Sequence, residues 1–250
     1  MSDRLYLYAI TGRLPPVAIG RGGVQGAPVF VLECGPLAAV VSRYVGLAPV
    51  QVDAESALCH EGVVEELFEQ RATLPVRFGT VMGDESHVRQ QLGEREGAYL
   101  QALDKVQGRV ELGVRVLWVD REPSSAPPAR TSGRDYLMDR LKEERRFQAR
   151  RAEAQLQAGT LCGRLGGLAE DTALQLMPTP GLLFSAAFLV DRENVTVFGC
   201  EVARLEGESD SLRFLLTGPW PAYSFVGDEL SHASIGGLVG SSTDMRVGTP

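Results

Sequence analysis

The sequence is poor in the residues that usually build metal sites or disulfide frameworks. Its 250 residues include four cysteines, which are far apart and never form a C-x-x-C pair, and three histidines outside any H-E-x-x-H pattern. Metal ligands usually come in such close pairs. We therefore predict no bound metal, and reduced cysteines that pack as small, buried apolar residues: Cys34, Cys59, Cys162 and Cys200.

Long apolar runs and an excess of positive charge are also missing. No apolar segment approaches the length that spans a bilayer, and the first residues lack the apolar core of a secretory signal. Lys and Arg number 25 against 32 Asp and Glu, a net charge of −7, whereas nucleic-acid binding needs a basic surface. These absences predict a cytoplasmic protein with no membrane span and no nucleic-acid partner.

Catalytic patterns are equally scarce. There is no G-x-S-x-G elbow and no P-loop. The glycine-rich stretch Gly20–Gly26 leads into a strand rather than a helix, which favours a flexible hairpin or connection over a phosphate site. Carboxylate pairs lie on helix faces that read as solvated. We expect a protein that is not an enzyme and that binds neither nucleotide nor other cofactor.

Periodic apolar patterns are present throughout and predict an α+β protein with two α/β domains. The first half reads as a strand, a hairpin, a helix, a strand, a helix and a strand, at 5–10, 29–42, 54–73, 74–81, 84–106 and 109–119. Asp84 is the expected cap of the second helix. This order favours an antiparallel sheet with both helices on one face, a ferredoxin-like layer.

The second half repeats this layout in a smaller form. Pro, Ser and Gly mark 123–133 as a linker between an N-terminal domain at 1–122 and a C-terminal domain at 134–226. A long helix at 134–168 precedes two strands, a helix capped by Asp191 and a last strand at 211–217. This half is predicted to be a smaller ferredoxin-like layer with a long helix. The Gly/Ser-rich tail is 227–250.

The start of the long helix is locally basic in an acidic chain. Residues 134–151 carry seven Lys or Arg side chains, interleaved with Asp135, Asp139, Glu143 and Glu144. Pairs four residues apart favour a solvated helix. A docking face for an acidic partner is the alternative.

Two segments combine rigid backbone with exceptional side chains. Between Leu216 and Val226, two prolines bracket Trp220, and Tyr223 and Phe225 follow, which predicts aromatics either packed inside or offered to a partner. We expect them to anchor the strand exit, so that Trp220→Ala lowers the free energy of unfolding by about 3–5 kcal/mol if the side chain is fully packed.

Arg77 and Phe78 lie in an apolar run, which predicts a buried guanidinium in an internal salt bridge.

Four segments together resemble the gas vesicle protein GvpF/GvpL family. They are LYLYAI at 5–10, LPVRFGTV at 74–81, SGRDYL at 132–137 and LTGPWPAYSFV at 216–226. Their order and spacing also fit, so the resemblance covers residues 1–226. Ala222 is a departure, since the family often has a proline there.

The resemblance implies a first domain with a modified ferredoxin-like fold, and an accessory or minor structural protein of gas vesicle assembly. It also implies binding of the small hydrophobic shell protein, with other accessory proteins as further candidates, in the cytoplasm or on the gas vesicle. A small-ligand-binding regulatory module of paired ferredoxin-like domains is the alternative function. The candidate structural or partner-binding residues are Arg77, Phe78, Trp220, Tyr223 and Phe225. We expect the shell protein to bind the first domain. With the strand at 109–119 included, the first domain has more exposed sheet edge than the second.

Overall fold

Two antiparallel sheets with helices packed on them make up this protein, in a computed structural model that describes residues 4–13, 19–46, 50–118, 133–175 and 182–226. The chain divides between Asp104 and Lys105 into two units, and the second unit is Lys105–Phe225. This α+β architecture agrees with the predicted class.

The first unit builds its sheet around its first strand. The order is β2-β3-β1-β4, with β5 also paired to β1. The apolar run Leu5–Ile10 of β1 is buried residue after residue rather than in alternation, so both faces of this strand are covered. The strands are β1 Arg4–Gly12, β2 Val29–Cys34, β3 Leu37–Tyr44, β4 Thr73–Pro75 and β5 Val81–Met82, and the helices are α1 Ala54–Gln70, α2 Glu85–Glu94 and α3 Glu96–Val106.

Local sequence signals explain several boundaries in this unit. Gly35 takes a φ of +62° in the two-residue turn between β2 and β3, a conformation that glycine adopts without strain. The Asp53 carboxylate accepts a hydrogen bond from the Ser56 amide at 2.7 Å and so caps α1. Asp84 caps α2 in the same way through the His87 amide at 3.0 Å, as predicted.

The second unit has the order β7-β8-β6-β9, and every neighbouring pair is antiparallel. Strand β6 alternates as the sequence predicts, with Val110, Leu112, Val114 and Val116 buried. The elements in chain order are β6 Arg109–Trp118, α4 Gly133–Gly166, β7 Asp171–Gln175, β8 Leu182–Asp191, α5 Val195–Gly207 and β9 Leu212–Trp220.

The predicted assignment of β6 to the first domain is wrong. Val114 lies opposite Ala186 on one side and Leu216 on the other, so β6 is an inner strand of the second sheet. Its alternating pattern identifies a strand but does not identify the strands it pairs with. The division thus falls near residue 104 rather than 122. Of the expected linker 123–133 only Gly133 is described, and the tail 227–250 lies outside the described residues.

Other differences are local. The expected strand at 74–81 is split into β4 and β5, and the expected helix at 84–106 is interrupted at Arg95. Asp191 makes no side-chain cap; its carboxylate instead accepts a hydrogen bond from Arg109 Nε at 3.1 Å. The four cysteines are free, but only Cys34 is buried and Cys200 is exposed, so the prediction of general burial is wrong.

Candidate functional site

Four rings from three separate segments pack together in the first unit. Tyr6 and Tyr8 come from β1, His60 from α1, and Phe78 from the turn between β4 and β5. Ring centroids lie 4.7 Å apart for Tyr6 and Tyr8 and 5.7 Å apart for His60 and Phe78. Both tyrosines and His60 are buried. The cluster therefore joins the sheet, α1 and the 77–80 turn into one core.

Hydrogen bonds connect the rings of this cluster to the turn. The Tyr6 hydroxyl oxygen accepts from the Gly79 amide at 3.0 Å, and the same hydroxyl forms a hydrogen bond with His60 Nδ1 at 2.9 Å. Burial lowers the pKa of His60 to about 4, against a weaker opposing effect of the Val76 backbone, and burial raises the pKa of Tyr6. Both rings are neutral near pH 7, so they serve as a structural connection rather than an acid–base pair.

The LPVRFGT segment is a turn held against β1. The amide and the hydroxyl of Thr80 both donate to the Arg77 carbonyl oxygen, at 3.3 and 2.7 Å. The Val76 amide donates to the Tyr8 carbonyl and the Leu7 amide donates to the Thr80 carbonyl. These four hydrogen bonds hold the backbone of the turn in place.

Arg77 and Phe78 lie on this turn and not in a strand. Because the chain reverses here, Arg77 is exposed and Phe78 is half-buried. The predicted internal salt bridge of Arg77 is wrong, since the guanidinium reaches solvent and no ion pair joins it to another described residue. Phe78 contributes to the ring cluster instead.

The glycine-rich stretch Gly20–Gly26 is docked rather than free. The Val24 amide donates to the Tyr8 hydroxyl at 2.8 Å, and the Gln25 side chain bonds both the amide and the carbonyl of Val45, at 3.1 and 3.2 Å. A Cβ on Gly23 would lie 2.2 Å from the Tyr8 hydroxyl oxygen. Glycine is therefore required at this position by close approach. The stretch is a hairpin-like connection, as predicted, with Gly22 paired to Pro28, but it is held in place rather than flexible.

This docked loop forms one wall of a cleft of about 410 Å³. Apolar walls come from Val24, Tyr44, Val45 and Val50, and the start of α1 adds the carboxylates of Asp53 and Glu55. Val45 is 81% exposed, and Val52 and Leu58, which neighbour lining residues in the chain, are 88% and 72% exposed. We call these three side chains the apolar rim. They are the most exposed aliphatic side chains described in the first unit.

In the second unit, the TGPWPAYSF segment continues β9 and then turns back. Gly218 has a φ of +111°, and a Cβ there would lie 2.7 Å from the Glu111 carbonyl oxygen. After Pro221 the chain reverses, and Ser224 donates its amide and its hydroxyl to the Glu111 carboxylate at 2.7 and 2.8 Å. Burial raises the pKa of Glu111, while both bonds from Ser224 act in the opposite direction. Glu111 thus holds the returning segment.

The three aromatics of this segment have different roles. Phe225 is buried, and the Lys105 ammonium lies 5.8 Å from its ring centroid. Tyr223 is half-buried, whereas Trp220 is 47% exposed. The expected anchoring by Trp220 is wrong, because this side chain is not fully packed. Phe225 and Ser224 make the anchoring contacts.

Strand β9 exposes apolar side chains at the edge of the second sheet. Leu215 lies opposite Arg115 and Leu216 lies opposite Val114, so the two leucines point to opposite faces. They are nevertheless 47% and 37% exposed. Exposed apolar side chains on an edge strand are a recognised means of recruiting another chain.

Comparison with known proteins identifies the family. The family model described as gas vesicle synthesis protein GvpL/GvpF matches residues 4–227. The chain belongs to the GvpL/GvpF family. It is 34% identical to gas vesicle protein L of Streptomyces sp. (strain CB03234), over 90% of this chain and 94% of that protein. It is 26% identical to gas vesicle protein F1 of Halobacterium salinarum, over 90% and 94% of the two chains.

Two solved structures share the fold of this GvpL/GvpF chain. The crystal structure of GvpF from Anabaena sp. PCC7120 matches with a TM-score of 0.71 at 21% identity, covering 90% of this chain and 99% of that one. GvpF from Microcystis aeruginosa matches with a TM-score of 0.68 at 19% identity, covering 90% and 100%. The mixed α+β architecture with two sheets is therefore that of GvpF.

Several important residues of this GvpL/GvpF chain escape sequence analysis. His60 precedes Val64 by four residues and Leu67 by seven, so helical periodicity is the signal that could have placed it on the buried face of α1. Nothing in the sequence links Glu111 to Ser224, which lies 113 residues further on.

Two kinds of feature are absent from the described ranges. None of their helices is long and apolar enough to cross a membrane. They also contain no group of three His, Cys, Asp or Glu side chains placed to hold a metal ion. The family description is of a gas vesicle synthesis protein and names no catalytic reaction.

Proposed function

We propose that this GvpL/GvpF chain is a non-enzymatic accessory or minor structural protein of gas vesicle assembly that binds the small hydrophobic shell protein. Family membership supports the involvement in gas vesicle formation. The apolar rim beside the cleft of the first unit supports the binding role. The site of action is the cytoplasm and the growing vesicle.

The physical reason for such a protein is the chemistry of a hydrophobic shell subunit. A subunit with a water-avoiding face associates nonspecifically until it is built into a wall. A partner that covers this face with its own apolar surface lowers that risk, and it releases the subunit when a larger apolar contact becomes available. No bond is made or broken, so no catalytic group is needed.

The apolar rim is the surface that we assign to the shell protein. Val45, Val52 and Leu58 are the most exposed aliphatic side chains described in the first unit. The Val45 backbone is held by Gln25, and Asp53 caps the helix that carries Leu58, so the surface is formed before the partner arrives. Preformed surfaces lose little conformational entropy on binding.

The exposed edge of the second sheet is a second candidate surface for binding the shell protein. Leu215, Leu216 and Trp220 could pair with an extended apolar segment through strand addition. Among the residues singled out from the sequence, we assign partner contact to Trp220 and to the tip of the turn at Arg77. Phe78, Tyr223 and Phe225 are assigned structural roles.

Capture of the shell protein by full-length variants tests the two surfaces. Val52→Asp with Leu58→Asp places two charges on the apolar rim and should reduce capture at least about tenfold, because charges there must be desolvated on binding. Val197→Asp, at a 53% exposed aliphatic site on α5, is the control for an added charge elsewhere and should bind like the wild type. Binding should change little between about 50 and 300 mM salt, because the contact is apolar.

The results of these capture experiments distinguish the apolar rim from the edge strand β9 as the binding surface. Loss of capture by Leu215→Asp with Trp220→Ala, while the rim variant still binds, would assign the shell protein to β9 and contradict the rim. Full binding by both variants would refute both surfaces.

The alternative of a small-ligand module draws support from the cleft volume, which lies in the range of ligand pockets. It predicts a saturable rise in melting temperature with a metabolite and no capture of shell protein.

We also propose that both units are variants of the ferredoxin-like topology. The second unit runs β6-α4-β7-β8-α5-β9 with its first strand inside the sheet, which is the β-α-β-β-α-β succession of that fold. The first unit has the corresponding order β2-β3-β1-β4, but the 3-10 turn Val24–Gly26 occurs where the first helix would be expected.

A further inference from the structure

Strand β9 is an edge of the second sheet, and its contacts show which of its backbone groups face outward. The Phe214 amide donates a hydrogen bond to the Glu206 carboxylate at 3.4 Å, and the Leu212 carbonyl oxygen accepts one from the Arg213 guanidinium at 2.9 Å. Both partners are side chains, so Leu212 and Phe214 turn these backbone groups away from β6. Because backbone groups alternate in direction along an antiparallel strand, the amide and the carbonyl of Leu216 also face outward.

These contacts leave a short part of the edge open to another strand. Near the start of β9, Glu206 and Arg213 already occupy backbone groups, and the two side chains lie 4.0 Å apart. Toward the end of β9, Pro219 has no amide to donate. The open stretch lies between Phe214 and Pro219, and Leu216 lies near its centre.

The open stretch lacks the charged side chains that usually protect an edge. Exposed edge strands of natural proteins commonly carry charges that prevent pairing with another chain. Residues 214–220 contain none, although the whole chain has a net charge of −7. Leu215, Leu216 and Trp220 are exposed there instead. The backbone groups and the side chains of this stretch therefore both suit pairing with another uncharged strand.

The open stretch is complementary to itself. When two copies of β9 run antiparallel about a two-fold axis at Leu216, the two Leu216 residues lie opposite each other. Each Leu216 amide can then donate a hydrogen bond to the Leu216 carbonyl of the other copy. Arg213 lies opposite Pro219 of the second copy, so this register brings no like charges together. Leu215 lies opposite Thr217 of the second copy, which adds contact on the other face.

We propose that two copies of this chain pair through the outer edges of their β9 strands, antiparallel and centred on Leu216. The pairing joins two four-stranded sheets into one continuous sheet, and a two-fold axis at a single strand closes the contact with identical surfaces. It involves the second unit alone. The pair covers the edge that is our second candidate surface for the shell protein and does not use the apolar rim. The inference does not depend on the proposed function, because its test involves no shell protein.

Charges placed at the two-fold axis test this contact in the full-length chain. Light scattering of the wild type should give twice the 27.0 kDa of one chain. Leu216→Lys places two ammonium groups opposite each other, and Leu216→Glu two carboxylates, so either variant alone should weaken the dimer at least about tenfold. An equal mixture of the two variants should form the dimer again, because each Lys then faces a Glu.

Leu117→Lys is the matched control. Leu117 has the same 37% exposure as Leu216 but lies on the inner strand β6, whose backbone is paired on both sides, so this variant should remain dimeric. A monomeric wild type would overturn the proposal, as would a dimer that Leu216→Lys leaves intact or a mixture that stays monomeric. Loss of the dimer in Leu117→Lys as well would show that the β9 edge does not hold the copies together.

Amide hydrogen exchange of the wild type checks the register without any substitution. The Leu216 amide should be protected in the dimer and should exchange at least about tenfold faster once dilution separates the copies. The Leu215 amide faces β6, so it should remain protected at both concentrations. Exchange of the Leu216 amide at the same rate before and after dilution would contradict the pairing.

Discussion

At the scale of single residues, buried polar atoms of this protein connect segments that are distant in sequence. The Tyr6 hydroxyl joins β1 to His60 and to Gly79, and the Tyr8 hydroxyl joins β1 to Ser42 and to the Val24 loop. Each is a buried group whose loss of a partner would leave another polar atom unsatisfied. These connections explain why aromatic residues with hydroxyls occur in an otherwise aliphatic strand.

The buried imidazole of His60 should make stability depend on pH. Its pKa is about 4 in the folded protein and about 6.5 when unfolded, so protons favour the unfolded chain. The stabilisation is complete above pH 6.5 and is lost as the pH falls toward 4. Between pH 7 and pH 4 the free energy of unfolding of the wild type should fall by about 3 kcal/mol relative to His60→Gln.

Urea denaturation at several pH values measures this difference. The wild type and His60→Gln are compared at each pH, so that every other titrating group is common to both proteins. A profile of His60→Gln that is parallel to the wild type would show that the imidazole is not buried in its neutral form.

At the scale of elements, the segment 216–226 has two parts with opposite surroundings. Its strand part leaves Trp220 half in solvent, and its returning part buries Phe225 and binds Glu111 through Ser224. Size alone would rank the tryptophan as the main anchor. Burial ranks the phenylalanine first, because stabilisation follows the apolar area removed from water.

Alanine substitutions should therefore reverse the order expected from side-chain size. Phe225→Ala should lower the free energy of unfolding by about 3–4 kcal/mol, the usual cost of emptying a buried aromatic site. Trp220→Ala should cost about 1–2 kcal/mol, since about half of its surface is already in water. Chemical denaturation of both variants and the wild type measures this, and an equal or larger loss for Trp220→Ala would refute the assignment.

At the scale of the whole molecule, the division of the chain depends on β6. This strand lies between β8 and β9, so the second sheet cannot form its observed order without it. A boundary at residue 122, which composition alone suggests, would cut the sheet from one of its inner strands. The boundary between Asp104 and Lys105 keeps all four strands together.

Two fragments test this division. The fragment 105–226 keeps every strand of the second sheet and should unfold cooperatively on heating, with mixed helix and strand signals in circular dichroism. The fragment 132–250 lacks β6, leaves β8 and β9 without their shared partner, and should show no cooperative transition. If the fragment 132–250 also unfolded cooperatively, at a similar melting temperature, the role given to β6 would be contradicted.

Much of this fold could be predicted from the sequence where the signal is local. The hairpin around Gly35, the Asp84 cap and the alternation of β6 depend on neighbouring residues and on periodicity, and all three predictions are confirmed. Sequence analysis was wrong for Arg77 and Trp220. In both cases the environment depends on where the chain turns after the residue.

The sequence by itself determined the class of elements, the acidic and locally basic segments, and the four segments that resemble the family. Propensity, capping and charge act over a few residues, and the sequence displays them directly. Only the tertiary structure decided which sheet receives β6, that the loop at Gly23 docks on Tyr8, and that Glu111 binds Ser224. Such contacts join residues far apart in the chain, and their energy depends on burial that no local pattern contains.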